Sequence, residues 1–82
     1  MDLKKAAANT LILLSKNVPD LPESERNEEG DGLAHQMWVL DQVTSGEVSG
    51  MKGHRWLGWA QGSLSAGGYL SLTDCKYANV LA

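Results

Sequence analysis

The chain has a single cysteine, Cys75, and only two histidines, His35 and His54. Neither a disulfide framework nor a structural zinc site is therefore expected. Apolar runs are short. The stretch Leu11 to Leu14 is far below the core of a signal peptide, even with Lys4 and Lys5 ahead of it, so no export signal and no membrane association are expected. The net charge of −3 is too small for a DNA mimic and has the wrong sign for a general nucleic-acid coat. The glycines at 46, 50, 53 and 58 match neither a Walker loop nor a dinucleotide fingerprint, which leaves no phosphate cradle. No internal repeat or sustained heptad is present.

What is there is the composition of one ordinary globular domain, 43% hydrophobic and 21% charged. At 82 residues it lies near the lower size for a core without disulfide, metal or partner, so completion of the fold by homodimerisation is an expectation. Charge is unevenly placed. Asp20, Glu23, Glu25, Glu28, Glu29 and Asp31 surround Arg26, whereas Met51 to Leu64 carries Lys52 and Arg55 and no acid. This predicts an acidic edge and a basic helix.

Helical periodicity dominates. Asp2 to Lys16 begins with an acid, ends with a lysine and puts Leu3, Ala7, Leu11 and Leu14 near one face, predicting a first helix. Residues 17–32 hold Pro19, Pro22 and a glycine-flanked acidic run, predicting a solvated loop. Asp31 is a candidate N-cap for a second helix to about Thr44, with Leu33, Met37, Leu40 and Thr44 on one face and Trp38 and Val39 widening it. Thr44 to Gly50 is a turn. A helix from about Met51 then ends at Gly67 and Gly68, and Ser71 with Asp74 has capping-box spacing for a short last helix through Leu81. The prediction is an all-α single domain over residues 1–82, a small bundle of three to four helices packed as two hairpins.

The third helix is the most informative segment. Gly53, Gly58 and Gly62 interrupt it, and each interior glycine costs about 0.5–1 kcal/mol relative to alanine, so close approach to the backbone is expected at all three. Gly53, Trp56, Leu57, Ala60 and Leu64 recur as a core face. Met51, Gly58, Gly62 and Ser65 lie opposite as a small-residue face, suited to packing against another helix or a second copy. Lys52, Arg55 and Trp59 form a third flank, on which Arg55 can stack with Trp59 four residues on and a partner protein or a nucleotide can be held.

Catalysis finds little support. Cys75 and Ser63 are available nucleophiles, but no motif positions a histidine as their base, and Cys75 on the last helix reads as a small buried hydrophobe. The prediction is a binding protein, not an enzyme, with no cofactor and no metal.

Lys52 to Gly62, reading Lys-Gly-His-Arg-Trp-Leu-Gly-Trp-Ala-Gln-Gly, followed by Gly68, Ser71 to Asp74, Lys76 and Asn79, resembles a group of short proteins encoded by bacteriophages and prophages of enterobacteria. These end in a Lys-x-His-Arg-Trp-Leu-Gly-x-x-Gln-Gly stretch and a short final helix. The similarity covers roughly the C-terminal half, with a weaker echo in Leu33 to Val43. The resemblance implies an accessory protein of the host cytoplasm that binds and modulates a host protein, for instance as a host-defence inhibitor of the anti-restriction or anti-CRISPR type. Its alternatives are a sponge for a signalling nucleotide and a minor structural or assembly protein of the phage particle.

Overall fold

The computed structural model describes residues 1–21 and 26–82, and the described residues form four helices and no strand. These are α1 (Leu3–Asn17), α2 (Leu33–Ser45), α3 (Gly50–Ala66) and α4 (Leu72–Val80). The all-α bundle expected from periodicity is what the chain forms. Pro22, Glu23 and Glu25, assigned above to the acidic loop, lie outside the described residues.

Several helix boundaries have a local cause. Asp2 caps α1, its carboxylate accepting from the Lys5 amide at 3.2 Å, and Lys16 sits in the last turn where the helix dipole favours a cation. Ser71 and Asp74 close the capping box of α4 reciprocally, each side chain accepting from the other residue's amide at 3.0 Å. Gly46 ends α2 in the left-handed region at φ 86°, which an L side chain adopts only at a cost. Asp31 is not the cap of α2. The helix starts one residue later, from Gly32, whose extended backbone supplies no side-chain bond.

The core gathers Leu14, Met37, Leu40, Val43, Leu57 and Leu64 around Ala6, Ala7 and Ala60. Small residues on α1 allow α2 to lie close, and Leu3 and Leu11, expected in the core, are half-buried at its margin. α1 and α2 pack together as the first expected pair, and α2 and α3 form a tight hairpin, but α3 and α4 do not form the second expected one: α4 packs chiefly on α1. The reason is chemical. Asn9 donates to the Ala78 carbonyl at 3.1 Å, and Asn17 donates to the Tyr69 carbonyl and to Asp74, fastening the last segment along α1.

Those bonds make the last helix acid-sensitive. The Ser71 amide and then the Asn17 side chain hold the Asp74 carboxyl below its usual value of 3.8. A carboxylate whose folded-state pKa is depressed adds stability above its unfolded value and loses it as pH falls through the folded one. Thermal midpoints of wild type and Asp74→Asn measured from pH 7 to pH 2 are therefore expected to differ most near neutrality, to approach one another from about pH 4 downward, and to converge only below the lowered folded-state value. A constant gap would rule out this linkage.

Two buried glutamines behave oppositely. Gln61 has every amide atom hydrogen-bonded, whereas the Gln36 Nε2 and Oε1 atoms, on a side chain 1% exposed, have no partner among the described residues. An unsatisfied buried amide costs about 1–3 kcal/mol. Gln36→Met, close in shape and without that demand, is expected to raise stability by about 1–2 kcal/mol in urea unfolding. A loss of stability would mean that the amide is satisfied in solution.

The glycines of α3 also separate. A Cβ on Gly53 would meet Leu3 Cδ2 at 2.6 Å and the Val48 carbonyl oxygen at 3.1 Å, so close approach is real there. At Gly58 and Gly62 it would meet nothing within 4 Å. The expectation of close packing at all three holds inside the monomer for Gly53 alone, and the face of Met51, Gly58 and Gly62 lies open, with Ser65 half-buried at its edge.

Candidate functional site

The α2–α3 hairpin turns through residues 46–49, with Val48 buried beneath it. Antiparallel helices joined this tightly bring together residues equidistant from the turn. Trp38 and Trp56 are one such pair about Glu47, and His35 and Trp59 are the next. Because each helix carries its two rings three residues apart, they share a face and the four meet in one strip.

The strip is continuous. Trp38 and Trp56 have centroids 5.8 Å apart at 42°, Trp38 and His35 stack at 5.8 Å and 20°, and His35 meets Trp59 at 5.2 Å and 65°. The His35–Trp38 stack and the His35–Trp59 edge contact are geometries that aromatic quadrupoles favour. Lys52 Nζ closes one end, 5.2 Å from the Trp56 centroid. His35 Nδ1 lies 3.0 Å from the Asn27 carbonyl, which fixes the donor tautomer at that nitrogen. The chain before α2 is held in turn by the Asn27 amide on the Ala34 carbonyl and by the Arg26 to Asp41 ion pair. The loop expected to be only solvated thus has an anchored exit.

Trp59 is 48% exposed, and Lys52 and Arg55 are exposed beside it on α3. The expected flank exists, with a different internal arrangement. The cation over a ring is Lys52, and the ring is Trp56; among the described residues no Arg55 to Trp59 stacking is formed. Trp56 itself is half-buried between Trp38 and Lys52 instead of lying wholly in the core, because Leu57, Ala60 and Leu64 already fill the inner face of α3. His35 and Trp38 belong to the surface and were missing from the sequence-based set. Their matching three-residue spacing and symmetry about Glu47 is the signal that identifies them.

Chemically, the surface offers flat apolar rings with two cations. Arg55 has no ion-pair partner among the described residues. Neither histidine shares a hydrogen bond with Cys75, Ser63 or a carboxylate among those residues, and no group of three His, Cys, Asp or Glu side chains converges there as metal ligands would. Cys75, on α4, is half-buried with its Sγ 3.9 Å from the Gln61 carbonyl. Burial, and then the charge of Asp74, pushes its thiol above the ordinary value of 9.0, away from the reactive thiolate. No helix among the described residues is long and apolar enough to cross a membrane. No protein-family model, curated protein or solved structure matches the chain.

Proposed function

We propose that the protein is a non-enzymatic, phage-derived accessory protein that binds and modulates a host protein in the host cytoplasm, with the flank of Trp59, Arg55 and Lys52 as its contact surface. The observation that carries this reading is a half-exposed tryptophan held by a ring at its side and flanked by unneutralised cations. Trp and Arg are enriched among the residues that carry most of the binding energy of protein interfaces, Trp through a large rigid contact area and Arg through its planar, multiply donating guanidinium. A host-defence protein is the class that the phage-like motif of residues 52–62 favours as partner.

A nucleotide is less well served. Sandwiching a base calls for two parallel planes, and His35 meets Trp59 at 65°, so this pair makes an edge contact and no slot.

Trp59→Ala and Arg55→Glu are expected each to weaken capture of the host partner from infected lysate by about tenfold or more, while helical circular dichroism is unchanged. Unaltered capture by both variants would remove the surface from consideration. Thermal shift with mono-, di- and cyclic nucleotides provides the opposing test, since a ligand binding the native state raises its midpoint.

A further inference from the structure

α4 leaves most of its apolar surface uncovered. Its inner side is narrow, with Ala78 buried, Cys75 half-buried and Asn79 bonded to Gln61, while Leu72, Tyr77 and Val80 are 78%, 58% and 70% exposed. An ordinary surface helix turns its large apolar residues inward. Leu81 just beyond it and Ile12 on α1 are also more than half exposed, so the apolar area is contiguous across two helices. A domain of this size gains nothing from such a surface unless it is covered.

The relief of this surface says what covers it. Tyr77 stands between two hollows: one is lined by Ile12, Leu13, Ala78 and Leu81, with Lys16 at its edge, and the other by Thr73, Val80 and Lys76. Two hollows on either side of a ridge receive two projecting side chains, as the anchors of an amphipathic helix do at three- or four-residue spacing. Each hollow carries one lysine and no acid. A two-fold pairing of α4 with itself near its middle would bring Lys76 toward its own copy, which like-charge repulsion opposes.

We infer that the α1–α4 groove is a second docking surface, which takes an acidic amphipathic helix of a partner protein: two apolar side chains enter the hollows beside Tyr77, and carboxylates pair with Lys16 and Lys76. It lies between a different pair of helices from the tryptophan strip and does not depend on it.

The test uses a fluorescent helical peptide of about five turns with leucines at three- and four-residue spacing and glutamates elsewhere, and a twin with lysines for the glutamates. Fluorescence anisotropy with the full chain is expected to give binding of the glutamate peptide at least about tenfold tighter than that of its twin. Tyr77→Glu and the Lys16→Glu, Lys76→Glu double variant, all at exposed positions and checked by circular dichroism, are expected to lose that binding by a similar factor. Trp59→Ala is expected to leave it unchanged, which separates this surface from the one proposed above. Equal binding of the two peptides, binding of neither, or retention by the α4 variants would overturn the inference. So would a dimer, seen by sedimentation, that Val80→Glu dissociates, or binding to vesicles rich in phosphatidylglycerol in place of the peptide.

Discussion

Gly53→Val is expected to cost about 2–3 kcal/mol, the upper part of the range for forcing side-chain atoms into a packed site, and to lower the thermal midpoint by roughly 10–20 °C. A Cβ at this position already falls 2.6 Å from Leu3 Cδ2 and 3.1 Å from the Val48 carbonyl oxygen. The leucine tip can rotate away, but the Val48 backbone is fixed by its amide bond to the Gln42 carbonyl at 3.1 Å and by its place beneath the turn. Valine adds two further methyl groups to the conflict. The same helix contains its own controls: Gly58→Ala and Gly62→Ala meet open space and should each gain about 0.5–1 kcal/mol from reduced unfolded-state freedom. Urea unfolding of the three variants checks the contrast. Similar destabilisation at all three would mean that Gly58 and Gly62 are also covered in solution, as in a dimer through the face of Met51 and Ser65.

The same contact bears on the binding surface. Gly53 sets how closely the first turn of α3 meets Leu3 and Val48, and Trp56 and Trp59 follow it by one and two turns. A displaced first turn would shift both rings against Trp38 and His35. Gly53→Val is therefore expected to alter tryptophan fluorescence as well as stability, whereas Gly58→Ala should leave it unaltered.

The parts legible in the sequence were those determined by neighbours along the chain. The acid that opens the first helix, the Ser71 and Asp74 box and the three-to-four-residue recurrence of Leu57, Ala60 and Leu64 are local patterns, and each appears in the structure, the acid as the cap Asp2. The wheel of α3 also set Trp59 apart from the core face, but only the structure shows that it is exposed. What one helix cannot reveal is its partner's register. Trp56 looked like core because it adjoins Leu57 on the wheel, yet its burial depends on Trp38, which shares no local pattern with it. The glycines of α3 were indistinguishable for a similar reason: Leu3, about fifty positions away, and the path of the turn at Val48 make Gly53 different. α4 was legible as a short capped helix but not in its placement, since its hydrogen bonds to Asn9 and Asn17 fasten it along α1 and no local pattern shows them.

Gln61→Ala is the second severe substitution, at about 3 kcal/mol. Gln61 Nε2 donates to Thr10 Oγ1 at 3.0 Å and to Asn79 Oδ1 at 2.9 Å, and its Oε1 accepts from Asn79 Nδ2 at 3.3 Å. One amide thus joins α1, α3 and α4. Thr10 is fully buried and its hydroxyl proton is already given to the Ala6 carbonyl at 2.7 Å, so it has only lone pairs to offer and needs a donor. Alanine removes that donor, strands the Asn79 amide and leaves a void. Loss of buried hydrogen-bond partners and of buried volume each contributes about 1–3 kcal/mol. Asn79→Ala should cost less, because Asn79 is half-buried and the Gln61 to Thr10 bond survives it. The double variant should fall short of the sum of the two, giving a coupling within the roughly 0.5–3 kcal/mol range of contacting residues. Hydrogen exchange locates the damage: amides of α4 should lose protection first, since this helix is held by polar bonds more than by apolar burial, while those of α2 and α3 around the tryptophan strip keep theirs. Uniform loss across all four helices would mean that α4 is part of one cooperative core, and the outward turn of Leu72, Tyr77 and Val80 would then cost the whole domain its stability instead of one helix its attachment.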